Sequence, residues 1–327
     1  MQNNPLVSVI IPAFNAGKHI ATCVQSVLDQ TWQNLEIIIV DDGSSDNTLG
    51  IARTFRDDRV NVLSQKNKGG CAARNLGYEV SRGEYIQFLD ADDLIGKDKI
   101  ELQVRRLMAE QGKVAVCRTV HFFDGEDPYA RPIPVESDYL HDTTDPAGFF
   151  SRLWGADGIM QMVQTSAWLI ERKLVEQNGK WNTEILLDQD GEFFSRMVLA
   201  SRGICFTGGL NYYRKYVNGR NVAGKYKSYR HLSSAIDAAE MKSARLLKAR
   251  NDSRTRKAAA NLFMLLAIDA YPVYSDLYEK CMGKIAQLKA RPIIPVLGGQ
   301  AIEFIKFLFG WKIAKRVSYE LHKYQAS

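Results

Sequence analysis

The chain has 327 residues, 46% hydrophobic and 24% charged, with a formal net charge of +6. That composition excludes a disordered or fibrous chain and allows one large domain or two modest ones. The charge is uneven: from Tyr212 to Lys257 there are 13 Lys and Arg against three Asp and Glu, which suits either a solvated helical face or an anionic partner.

The first third alternates short Val/Ile-rich runs with helical patterns. Val7–Ile11 reads as a buried strand, followed by a helix over Lys18 to Gln30 and the strand Leu35–Val40. A helix over Thr48 to Phe55, the strand VNVL, a helix over Cys71 to Val80 and the strand YIQFL follow. This βαβαβαβ rhythm predicts a mostly parallel sheet with helices on both faces. Such sheets bind ligands beyond the carboxyl ends of their strands, so the strand ends are the residues to read. The pattern continues with a helix over Lys99 to Glu110 and the strand KVAVCR. The polar stretch Phe122 to Pro146 carries Pro128, Pro132 and Pro134 and reads as a lid or acceptor loop. A short helix over Phe149 to Leu153, a strand-like stretch Gln164–Ile170, a helix from near Gly191, and two strands, Ile204–Phe206 and Leu210–Arg214, complete the core. Beyond about residue 228 the pattern is helical, giving an expected division into 1–225 (halves 1–110 and 111–225) and 226–327.

The N-terminus lacks a basic segment followed by a long apolar one, and no run approaches a membrane span. A cytoplasmic protein is expected. Its five scattered cysteines, odd in number and without a CxxC pair, are expected to be reduced thiols. Phe304 to Val317 mixes aromatic and aliphatic residues with Lys306, Lys312, Lys315 and Arg316. It reads either as an interfacial amphipathic helix or as a helix packed on its own core.

The strand ends carry Pro12-Ala13-Phe14-Asn15, Asp41-Asp42-Gly43-Ser44 and Asp90-Ala91-Asp92-Asp93. Carboxylates gathered in this way need a cation or a protonated partner. Asp-Ala-Asp suits Mg²⁺ or Mn²⁺, hard cations that take oxygen ligands and share their shell with phosphates. Each piece alone also reads as a turn or a helix cap. No dinucleotide-binding glycine fingerprint follows the first strand, and no Walker A sequence or serine nucleophile elbow is present.

Val7–Asn15, Val40–Ser44, Lys68-Gly69-Gly70-Cys71-Ala72-Ala73-Arg74-Asn75 and Phe88–Asp93 together resemble the signature blocks of the family 2 glycosyltransferases, in order and in spacing. The resemblance implies the GT-A fold and an inverting, metal-dependent transfer from a nucleotide-diphosphate sugar to a saccharide or lipid-linked hydroxyl, with surface-polysaccharide synthesis as the setting. It implies that Pro12, Phe14, Asn15 and Asp42 form the base pocket, that Arg74 lies near base or phosphate, and that Asp90, Ala91 and Asp92 form the ribose- and metal-binding turn. In Asp188-Gln189-Asp190-Gly191 it aligns Asp190 with the base, with Asp188 as rival. Where many members carry Glu-Asp, this chain has Gln189-Asp190. A nucleotidyltransferase and a silent nucleotide-sugar binding module are the alternatives. The first lacks its Gly/Arg-rich loop here, and intact Asp90, Asp92 and Asp190 oppose the second.

Overall fold

The structure, a computed structural model, describes residues 4–130, 139–216 and 228–325. It divides into two compact units: Met1–Phe149, Val163–Glu184 and Gln189–Asn221 form the first, and Phe150–Met162, Ile185–Asp188 and Val222–Ser327 the second. Pro132, Pro134 and the boundary expected at 225/226 lie outside the described residues.

The first unit is built on an eight-stranded mixed sheet in the order β3-β2-β1-β4-β7-β6-β8-β5. β1 (Val7–Ala13), β2 (Leu35–Asp41), β3 (Val60–Ser64) and β4 (Tyr85–Phe88) run parallel, with β1 between β2 and β4. The alternation of the strands sends side chains to both faces. Val7, Val9, Ile11, Ile37 and Ile39 join one core with α1 (Ile20–Leu28) and α4 (Lys99–Ala109). Ile38 and Val40 face the other way, onto Ala73 of α3 (Gly70–Val80). That helix lies close to the sheet because Gly77 has no side chain: a Cβ there would stand 2.5 Å from Ile10 Cγ2. The expected helices on both faces are therefore present.

β1 pairs with β4 only as far as Ile10 and Phe88. Pro12 lies beyond that register, so its missing N–H costs no bond to β4; the strand order reverses between β1 and β4, the place where such sheets bind ligands. The second half of the sheet comprises β5 (Leu94–Ile95), β6 (Val114–Phe123), β7 (Trp168–Glu171) and β8 (Ile204–Lys215), with α2 (Thr48–Ala52), α5 (Pro146–Leu153), α6 (Arg172–Asn178) and α7 (Gln189–Ala200) completing the chain order. Two expectations are corrected here. The separate strands around Ile204 and Leu210 are one strand, β8, because Gly208-Gly209 forms a register shift opposite Cys117 and Arg118 rather than a break. Gly209 is needed there, since a Cβ would meet Lys99 Cα at 2.7 Å. The helix expected from Gly191 begins two residues earlier, at Gln189, so Asp190 lies inside its first turn.

Lys99 is fully buried, with no carboxylate paired to it among the described residues; its ammonium donates to the side-chain oxygens of Gln87 and of Gln103, the latter at 2.9 Å. Burial pushes its pKa down from 10.5 to about 8. The unfolded chain holds this proton more tightly, so unfolding free energy should rise as pH climbs from about 8 to about 10, by up to ~3 kcal/mol. Below pH 8 both states are protonated and the cost of burial is fully present. Urea unfolding of wild type and Lys99→Met across pH 7–10 checks this. Parallel pH profiles for the two proteins would show that Lys99 is not the group responsible.

The second unit is helical, as expected after residue 228. α9 (Ser253–Ala270) packs against both α8 (Tyr229–Ala249) and α10 (Ser275–Leu288), and α11 (Gln300–Phe309) packs against α12 (Trp311–Gln325). The small residues Ala258, Ala259, Ala260 and Ala267 of α9 are buried with Phe263 and Met264, and Asp252 with Thr255 closes a capping box at its start. All five cysteines are buried and free. Among the described residues no helix is long and apolar enough to cross a membrane.

Candidate active site

Three strand ends, those of β1, β2 and β4, lie at one edge of the sheet. At the end of β1, Asn15 is left-handed with φ +50°, a conformation asparagine tolerates better than most residues. Its amide oxygen accepts from Ser45 N at 2.8 Å and its backbone N donates to Ser44 Oγ at 3.0 Å, which ties the β1 and β2 ends together. Phe14, beside it, is 52% exposed and presents a ring outward. Asp42 is buried and turned into the fold. Its oxygens accept from Gln65 Nε2 at 2.7 Å, Lys68 N at 2.9 Å and Gly69 N at 2.8 Å. Three of about four lone-pair directions are thus used by the loop that leads into α3. Asp41 is the less satisfied neighbour: its buried Oδ1 has no hydrogen-bond partner among the described residues.

The turn after β4 gathers three carboxylates. Asp90 is paired with Arg74 Nη2 at 2.7 Å. Ala91 turns into the core. Asp92 accepts from the Tyr216 hydroxyl at 2.9 Å, and its backbone oxygen accepts from Arg214 Nε at 3.0 Å. Asp93 is wholly buried, bonded by Ser166 Oγ at 2.9 Å and Arg214 N at 3.2 Å. Burial, and then repulsion from Asp90, raises the pKa of Asp92. Burial, with both neighbouring aspartates, raises that of Asp93 well above the usual carboxylate range. Arg214 reaches on to Asp124 at 3.2 Å, which also binds Lys18 at 2.6 Å, so the end of β8 is joined to the start of α1.

The residues present fit a divalent cation of the shared kind. The carboxylates repel one another at close range, which a cation relieves. Among the described residues no group of three or more His, Cys, Asp or Glu could enclose a metal by itself. Mg²⁺ and Mn²⁺ sites completed by substrate phosphates need only one or two carboxylates, a number that Asp90 and Asp92 can meet.

Arg74 also links this turn to α7. Its guanidinium lies over the Trp181 ring at 4.5 Å. Trp181 is clamped by Asn75, which donates to Trp181 O and accepts from Trp181 N, both at 2.9 Å. The indole stacks on Phe193 of α7 at 4.2 Å with the rings 3° from parallel. Asp190 and Glu192 lie in the first turn of α7. Glu192 is held by Arg196, at 2.9 Å to Nε, and Arg196 also binds the carbonyls of Asn178, Gly179 and Lys180. The Cys71 thiol, raised to about 11 by burial, is also pushed up by the charges of Asp190 and Glu192 and pulled down by Arg74. Asp188 is otherwise engaged: left-handed at φ +65°, it is ion-paired with the buried Lys242.

Trp181, Tyr216, Arg214 and Ser166 were not read from the sequence. Arg214 and Tyr216 follow the Asp-Ala-Asp turn by more than 120 residues, and their only local signal was the basic stretch that begins beside them.

Residues 8–179 match the family described as Glycosyl transferase family 2. The glycosyltransferase GlyG of Streptococcus pneumoniae serotype 4 (strain ATCC BAA-334 / TIGR4) is 45% identical over 114 residues, 34% of this chain and 38% of GlyG. The chondroitin synthase of Escherichia coli is 42% identical over 124 residues, 37% of this chain and 18% of the synthase. The chain spans less than half the length of the curated relatives it matches. Among solved structures, S. aureus TarS 1–349 in complex with UDP-GlcNAc superposes with a TM-score of 0.61 at 18% identity, covering 86% of this chain and 88% of that one. This likeness shows the fold.

Proposed function

Because the chain belongs to glycosyl transferase family 2, we propose that it transfers a sugar from a nucleotide-diphosphate donor to a saccharide or lipid-linked hydroxyl with inversion, in surface-polysaccharide synthesis on the cytoplasmic side of a membrane. The observation that carries this reading is the Asp90–Arg74–Trp181–Phe193 chain, which joins the Asp-Ala-Asp turn to the helix bearing Asp190. A neighbour of the same fold is described in complex with UDP-GlcNAc, which supports a nucleotide-sugar donor.

In this reading the exposed Phe14 ring stacks on the base above Pro12. Asn15 fixes that loop, and Asp42 holds the loop before α3 while keeping one lone pair for the base. Arg74 neutralises diphosphate charge. Asp90 and Asp92 hold Mn²⁺ or Mg²⁺, which when bound supplies the charge that lets a diphosphate leave. The acceptor oxygen bonds to the anomeric carbon as the bond to the diphosphate oxygen breaks and its electron pair leaves with the phosphate. The acceptor proton passes to Asp190. A panel of nucleoside diphosphates in thermal shift tests the donor side: at least one should raise the melting temperature by mass action, more strongly with Mn²⁺. No shift with any of them, with or without Mn²⁺, would refute the reading.

The reading includes attachment to an anionic membrane through α11. The helix buries none of its residues; Phe304, Phe307, Leu308 and Phe309 are exposed, Phe307 at 84%. Ile302 and Ile305, on its other side, are half-buried. Lys312 and Arg316, both exposed, follow in α12, giving apolar rings beside cations that complement an anionic headgroup layer. The full chain should co-sediment with phosphatidylglycerol vesicles in a salt-sensitive way, and Phe307→Ser/Phe309→Ser should weaken this about tenfold or more. Equal sedimentation of the variant would remove α11 as the anchor.

A further inference from the structure

The second unit holds an open cavity of about 580 Å³, lined chiefly by Ser253, Arg256, Lys257, Lys289, Arg291 and Ile293. It shares no residue with the acidic site, and its volume lies within the roughly 300–1,000 Å³ usual for small-ligand sites. Four of its lining residues are cations and none is an acid.

The cavity is built from fixed parts. The capping box at Asp252 and Thr255 sets the first turn of α9, from which Ser253, Arg256 and Lys257 project three and four residues apart, on one face. The opposite rim begins at the C-cap of α10, where Lys289 is left-handed at φ +49°. Glycine takes this position without steric cost, yet here the chain keeps a cation. The rim then returns through Ile293, whose N–H donates to Oδ1 of the buried Asn261 at 2.8 Å. Asn261 is itself held by donating to Trp154 O at 2.8 Å.

The four cations lack counter-ions among the described residues. Ion pairs among this unit's described residues go elsewhere: Lys242 to Asp188, Arg254 to Asp157, Lys280 to Asp237 and Glu240, Lys284 to Glu240, and Lys306 to Glu303. Lys257 Nζ meets only the carbonyl of Ala156, at 2.8 Å, and Arg256 Nη1 the amide oxygen of Asn251, at 3.2 Å. The nearest carboxylate along the chain, Asp252, is turned to Thr255 N at 2.8 Å. Like charges gathered on one cavity repel one another unless an anion lies between them.

We propose that this cavity binds a phosphate-bearing anion, with Arg256 and Arg291 forking its oxygens, Lys257 and Lys289 adding charge, and the Ser253 hydroxyl donating. The phosphate is either that of a soluble phosphorylated compound or that of a lipid headgroup. The site is independent of the transferase reading, since it uses residues of the second unit alone.

The test uses the full chain in EDTA with two probes: inorganic pyrophosphate by calorimetry, and phosphatidylglycerol against phosphatidylcholine vesicles by sedimentation. Arg256→Gln/Arg291→Gln should lower affinity for at least one probe about tenfold or more. Lys173→Gln/Lys248→Gln, which removes the same charge from exposed positions, should leave both affinities unchanged. The single Arg291→Gln, at an exposed position, repeats the measurement if the double variant melts early. Lost pyrophosphate binding identifies a soluble ligand. Lost vesicle binding with no pyrophosphate binding in wild type identifies a headgroup. Equal binding by wild type and the cavity variants, an equal loss in the control, or no binding of either probe by wild type would overturn the site.

Discussion

Asp190→Asn is expected to slow sugar transfer by roughly 10²–10⁴-fold, the usual contribution of a positioned general base, while leaving nucleotide affinity and melting temperature nearly unchanged. Asparagine keeps the size and polarity of aspartate but cannot take up the acceptor proton. The fold should tolerate it, because the first turn of α7 is held by other groups: Glu192 on Arg196, Arg196 on three carbonyls, and Phe193 on Trp181. The rival aspartate carries a structural ion pair. Asp188 is ion-paired with a buried ammonium from Lys242, which makes it a structural tie. Asp188→Asn is therefore expected to lower the melting temperature, because it leaves that ammonium buried without its counter-charge, and to spare the rate of the fraction that remains folded. Single-turnover rates and melting curves for both variants separate the two roles. A stable, inactive Asp188→Asn beside a fully active Asp190→Asn would reverse the assignment.

Asp92→Asn should abolish Mn²⁺-dependent nucleotide binding while the protein stays folded and melts at the same temperature or higher. The second half of this expectation comes from the turn itself. Asp90, Asp92 and Asp93 are forced together, and burial and mutual repulsion raise the pKa of Asp92 and Asp93. Removing one charge relieves that repulsion. The asparagine oxygen can still accept from the Tyr216 hydroxyl, and the Arg214 contacts to Asp92 O and to Asp93 need no carboxylate at position 92. Loss of the metal-dependent thermal shift without loss of stability would mark Asp92 as a ligand. A variant that unfolds would mark it as a structural residue, and one that binds nucleotide with Mn²⁺ as wild type does would remove it from the site.

The nucleotide half of the fold was legible in the sequence because its signals are local. Val7–Ala13, Leu35–Asp41 and Tyr85–Phe88 are short apolar runs, each followed by turn chemistry, and the parallel order then places Phe14, Asp42 and Asp90 at one edge. The helical character beyond residue 228 was legible for the same reason. What the tertiary structure decided involves partners far apart in the chain. Gly208-Gly209 reads as a strand break, and only the neighbouring β6 and Lys99 make it a bulge within β8. Asp42 reads as a base-pocket residue, and only the returning loop at Gln65–Gly69 shows how its oxygens are used. Asp188 and Asp190 are two steps apart and alike on paper; the pairing of Asp188 with Lys242, 54 residues away, shows only in the structure. Tyr216 reaches Asp92 across 124 residues and Asn75 clamps Trp181 across 106. Such pairings follow from how strands and helices close on one another, and a hydrogen bond across that distance leaves no periodic mark in either segment that a reading of neighbouring residues can detect.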